Sequence, residues 1–144
     1  MSDHIIAPRN YRITSNAYPK QLVSVVDHTI VGNQELLGGI QIWRLRYEGR
    51  YATFQGVSPT REAKGYIAIS EDGGSLVYTL EGPSRFVLGM PDPEYQDLLS
   101  VTCEDHIFPV RAWFLPSGED GTRIELPRRD FPPGDWIFTS CDEE

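Results

Sequence analysis

An all-β chain of three weakly repeated units is what this sequence predicts, and three observations carry the prediction. An aromatic residue followed two positions later by an apolar partner recurs at Trp43/Leu45, Phe86/Leu88 and Trp136/Phe138, at intervals of 43 and 50 residues. Period-2 apolar spacing marks a half-buried strand, and its return at intervals of tens of residues marks a repeat architecture. The chain also holds 13 glycines and 11 prolines in 144 residues, a share that favours many short strands broken by turns. Finally, no segment carries the period of an amphipathic helix.

Taken in order, Tyr11–Thr14 alternates as a strand and Asn16-Ala17-Tyr18-Pro19 supplies turn chemistry. Gln21–Val26 and Thr29–Val31 follow as strands, separated by the short polar break Asp27-His28. Asn33–Gly39 is an exposed loop carrying Leu36 and Leu37, and Ile40–Tyr47 is the fourth strand. Glu48-Gly49-Arg50 reverses the chain, and Tyr51–Phe54 restarts the alternation seen at Tyr11. After the polar loop Ser58–Lys64, strands at Gly65–Ser70 and Leu76–Leu80 are joined across Glu71-Asp72-Gly73-Gly74, a strong hairpin signal. Gly82-Pro83 precedes Arg85–Met90, and Pro91-Asp92-Pro93 forbids a helix there.

The third unit opens at Leu98–Cys103 and continues with Phe108–Leu115, whose Pro109 demotes its start to an edge or bulge. Arg123–Leu126 and Asp135–Ser140 complete it, and Asp142-Glu143-Glu144 forms an acidic tail. This makes twelve strands in three sets of four, with units over about 11–50, 51–94 and 95–141 of one domain spanning 1–144. So many short strands in a small chain must close on themselves to hide their edges. A six-stranded barrel capped by hairpins does so with three-fold symmetry, which is the β-trefoil.

The formal charge of −8 argues against a nucleic-acid partner, which would need a basic face. No apolar run reaches the length of a membrane span, and Met1-Ser2-Asp3-His4 lacks the features of a signal peptide. The expectation is a cytoplasmic monomer without a membrane partner. Cys103 and Cys141, with no Cys-x-x-Cys, imply neither a disulfide framework nor a zinc site and read as free thiols, with a single bridge still open. The chain has no nucleophile elbow, zinc-protease helix, phosphate loop or dinucleotide fingerprint, and His4, His28 and His106 are scattered. Neither a catalytic residue nor a metal ligand is expected.

Several features occur here in the order they take in one group of proteins. These are the early Tyr11-Arg12-Ile13 strand, Gln41-Ile42-Trp43 leading into Tyr51-Ala52-Thr53, Gly82-Pro83 before Phe86, and the closing Trp136-Ile137-Phe138-Thr139 with acidic residues after it. In these the chain resembles the fungal β-trefoil protease inhibitors, namely the mycospins that target serine proteases and the mycocypins that target cysteine proteases. The resemblance implies a small mushroom protein without a cofactor that blocks a protease with a rigid loop.

For a trypsin-like target the anchor must be Arg or Lys, reaching a buried carboxylate in the specificity pocket. Pro127-Arg128-Arg129-Asp130-Phe131-Pro132-Pro133-Gly134 fits best, with two adjacent arginines between prolines that restrict φ. Among the mycospins the loop before the last strand is one of those used. Asp130 disfavours Arg129 as the anchor, leaving Arg128 preferred. The bland alternative is a rigid connection whose arginines pair with surface carboxylates.

The second candidate is Pro59-Thr60-Arg61-Glu62-Ala63-Lys64, with Arg61 as its anchor and a charged, solvated loop as its alternative. Asp27-His28 stands at another loop this family uses and offers no basic anchor. The loops that mycocypins lay across a cysteine-protease cleft match Asn16–Lys20 and Asn33–Gly39, where Gly38-Gly39 permits close approach and Leu36 and Leu37 are apolar. Those glycines equally suit a turn, and the leucines could fold back onto the barrel. Legumain-type inhibition needs an asparagine in the loop after the fifth strand, and Ser58–Lys64 has none. Carbohydrate binding is the alternative of a different class, since Gln41-Ile42-Trp43 is one Gln-x-Trp triplet of the ricin-type lectins. The corresponding Ser84-Arg85-Phe86 and Gly134-Asp135-Trp136 do not repeat it.

Overall fold

A computed structural model describes residues 5–60, 63–90, 93–95, 97–103, 111–127 and 135–141. Its strands are β1 (Asn10–Ser15), β2 (Leu22–Val26), β3 (Thr29–Asn33), β4 (Ile42–Glu48), β5 (Tyr51–Val57), β6 (Ala63–Ile69), β7 (Leu76–Thr79), β8 (Phe86–Gly89), β9 (Leu98–Cys103), β10 (Thr122–Arg123) and β11 (Trp136–Ser140). Every ladder between them is antiparallel.

Six of these strands close a ring. β1 pairs with β4, β4 with β5, β5 with β8, β8 with β9, β9 with β11, and β11 returns to β1. Closure leaves no open edge in that ring. The hairpins β2–β3 and β6–β7 cap it, and a third cap element comes from β10 with the isolated bridge Phe114↔Glu125. The three cap elements meet one another: Thr29 pairs with Val77, Arg123 with Val31 and Ser75 with Glu125. A closed barrel of six strands under three mutually paired hairpins is the β-trefoil.

The register displays the three-fold repeat. Tyr11 lies opposite Trp43, Ala52 opposite Phe86 and Leu99 opposite Trp136. Two residues along, Ile13 faces Phe138, Phe54 faces Leu45 and Val101 faces Leu88. All twelve side chains are buried, as expected for the inward positions of a period-2 strand. Trp43, Phe86 and Trp136 therefore form one core ring, as their sequence spacing suggests. The match to Tyr11 is Ala52 and not Tyr51, one residue later than the alternation alone indicates. Below the caps, Ile30, Leu76 and Ile124 are fully buried, and backbone bonds from Ile124 N to Ile30 O and from Leu76 N to Ile124 O link their chains.

The third unit departs from the expected strands. Of Phe108–Leu115, the first three residues lie outside the described ones, and the rest carries the bridges Thr102↔Ala112 and Phe114↔Glu125 without an extended ladder. Arg123–Leu126 is likewise reduced to β10 plus bridges. Trp113 nonetheless packs at the centre, its ring 5.2 Å from Phe54, 5.4 Å from Phe86 and 5.9 Å from Trp136. Cys103 and Cys141 are both buried and are not bridged to each other.

Candidate functional site

Three connections gather where the barrel meets its cap. The first, between β1 and β2, is braced from within. Tyr18 N donates to Ser15 Oγ at 3.0 Å, and Gln21 N donates to Tyr18 O at 2.9 Å. Tyr18 lies across Gly118 so closely that a Cβ there would meet its ring at 2.7 Å.

The second, between β3 and β4, is the most strongly shaped. Gly39 N donates to Leu36 O at 3.1 Å, closing a β-turn whose third residue, Gly38, has φ of 79°. Positive φ at that position is the requirement of a type II turn and the reason for glycine. Gly39 is fixed by space, because an added Cβ would stand 2.8 Å from that of Leu36. The two glycines thus serve the turn.

The leucines divide. Leu36 is half-buried, while Leu37, at the turn's second position, is 106% exposed. Gln41 holds the loop from below: its Oε1 accepts Leu36 N at 2.8 Å, and its Nε2 donates to Gln34 O at 3.0 Å and Ser24 Oγ at 2.8 Å. Asp120 secures the other end, its Oδ1 accepting Gln34 N at 3.0 Å and Gln21 Nε2 at 3.1 Å.

The third connection follows β5. Ser58 Oγ and Thr60 Oγ1 are 2.8 Å apart and share a hydrogen bond. Pro59 joins Arg12, Ile42, Val57 and the 35–39 turn around a cleft of about 280 Å³. The beginning of the second predicted loop and the apolar loop of the first repeat therefore form one surface. Thr60 is exposed on it, while Arg61 and Glu62 lie outside the described residues.

Arg128, Arg129 and Asp130 also lie outside them, but both stems of that loop are described. Before it, Leu126 is buried and its N–H donates to Gly74 O at 2.9 Å, and the half-buried Pro127 follows. After it, Asp135 O accepts Asn16 N at 3.0 Å, and Trp136 enters the barrel opposite Ser15. Burial pushes the Asp135 carboxyl above the usual carboxylate range. Through Asn16 this stem adjoins the β1–β2 connection.

Gln41 is the residue whose role the sequence concealed. It stands in a Gln-x-Trp triplet, and it is buried with its side chain bonded to Leu36, Ser24 and Gln34. Among the described residues, no aromatic side chain lines the cleft beside it.

No family model matches the chain, and no curated protein matches it. Solved structures do. A ricin B-like lectin of Macrolepiota procera, solved with lactose, superposes with a TM-score of 0.73 at 16% identity, covering 94% of this chain and 98% of that one. A proteinase inhibitor from Coprinopsis cinerea gives 0.70 at 16% identity, with 94% and 99% covered. A mosquitocidal holotoxin gives 0.72 at 10% identity, covering 95% of this chain and 18% of its own length. At these identities the likeness shows the fold, and a lectin and an inhibitor are both similar to it.

Proposed function

We propose that this β-trefoil is a protease inhibitor that holds a rigid loop in the active-site cleft of a trypsin-like serine protease, with Arg128 or Arg129 as the anchor. The observation that carries the proposal is the fixing of both loop stems, at Leu126 by Gly74 and at Asp135 by Asn16. Stems held by the barrel leave less freedom at the loop's two ends to be lost on binding, which is what such an inhibitor needs. The proteinase inhibitor among the similar structures supports a protease partner in general. Arg128→Ala and Arg129→Ala, made separately, test the assignment. The anchor variant should weaken inhibition of trypsin by about 30-fold or more, the size of a hot-spot truncation, and unchanged inhibition in both shifts the anchor to Arg61.

A cysteine-protease reading is favoured by one observation, the full exposure of Leu37 on a turn braced by Gln41. An extruded apolar side chain on a pre-shaped loop suits an apolar pocket. Leu37→Asp should abolish inhibition of a papain-like enzyme and leave trypsin inhibition unchanged. Carbohydrate binding has a lectin among the similar structures, and a glycan array separates it from both.

A further inference from the structure

Arg44 and Arg46 take no part in the loops above, and they belong to a second concave feature toward the other end of β4. The ladder between β1 and β4 covers only Asn10↔Arg44 and Tyr11↔Trp43, and a last backbone bond runs from Leu45 N to Arg9 O at 2.8 Å. The chain before Pro8 therefore leaves β4, while β4 continues to Glu48 against β5.

A cleft of about 330 Å³ opens there, lined by Pro8, Arg9, Asn10, Arg44, Leu45 and Arg46. Its wall is fastened. Tyr11 Oη donates to Ala7 O at 2.7 Å and Tyr47 Oη donates to Ile6 O at 2.8 Å, fixing the segment that carries Arg9.

Three arginines share this cleft in a chain of net charge −8, and among the described residues no carboxylate lines it. The next acid along β4, Glu48, is met instead by Arg85 at 3.8 Å. Clustering like charges is unfavourable, and a chain with 21 acidic side chains has acids in excess with which to relieve it. Arginine in particular presents a planar fork that fits two oxygens of one anion. The cleft's volume is at the lower end of small-ligand sites.

We propose that this cleft binds the oxyanion head of a small phosphate or sulfate monoester, with Arg9, Arg44 and Arg46 as its donors. It is separate from the proposed protease contacts and stands or falls without them.

Amide resonances of the labelled, full-length protein, followed while glucose 6-phosphate, glucose 6-sulfate or glucose is added, provide the test. The two charged esters should move the Asn10, Leu45 and Arg46 amides saturably, less so as sodium chloride is raised, and glucose should not. The relative affinity of the two esters assigns the head group. Arg44→Ala with Arg46→Ala should weaken binding at least about tenfold while leaving distant resonances in place. Arg44→Lys with Arg46→Lys, which keeps the charge but not the fork, should also weaken it. Equal shifts with glucose, no shifts with either ester, or undiminished binding in the double alanine variant would overturn the proposal.

Discussion

Trp43, Phe86 and Trp136 hold equivalent places in the core and differ at their edges. Trp43 Nε1 donates to Val23 O at 2.9 Å and Trp136 Nε1 to Trp113 O at 3.3 Å. Phe86 has no such donor. In its repeat Ile67, whose hairpin register matches that of Val23, gives its carbonyl to Ser84 N at 3.2 Å. Trp43→Phe should therefore keep the fold and cost about 1–3 kcal/mol, the loss of one buried hydrogen bond. Urea unfolding measures the loss, and protease inhibition by the folded variant should be unchanged. Tyr47 offers a second test. Burial, the largest cause, pushes its hydroxyl from 10.0 up to about 12. A raised folded-state value means that its contribution to stability is complete below pH 10 and is lost as pH rises from about 10 to about 12. Alkaline unfolding should steepen in that window and be less steep in Tyr47→Phe.

At the scale of elements, the β2–β3 hairpin has a two-residue turn, with Val26 paired to Thr29 across Asp27 and His28 at φ of 52° and 63°. Both are in the left-handed region that a type I′ turn requires and that Asn-Gly fits best. The sequence indicates only a polar break here, because Asp-His is not the Asn-Gly or Asp-Gly pair that marks such a turn. His28→Gly should stabilise the protein by about 1 kcal/mol, read as a rise in thermal midpoint. Its backbone bond from Tyr78 N to His28 O should remain. The strands of the first two units were legible because their apolar alternation is regular. The third was less so, since segments held by the single bridges at Ala112 and Phe114 leave no extended period-2 signature. In the β3–β4 loop the glycines and leucines were visible in the sequence. Gln41 as its brace was not, because its partners are 5, 7 and 17 residues away and its own position reads as strand.

For the whole molecule, closure of the β1–β4–β5–β8–β9–β11 ring explains how so short a chain supports long connections, with no helix among the described residues. The barrel fixes where loops begin and end, and their tips are left to vary in chemistry. That division explains why fold was readable from spaced aromatics while the proposed anchor was not: core positions repeat three times, and an anchor would occur once. It also places the apolar turn at Leu37 and the arginine cleft toward different ends of β4, so changes in one should leave the other intact. The proposed protease inhibition is tested most directly by the residual activity of trypsin, subtilisin and papain against rising amounts of the purified protein. Dose-dependent loss of trypsin activity, relieved by Arg128→Ala or Arg129→Ala, is the predicted result. Full activity of all three enzymes at inhibitor excess would contradict it.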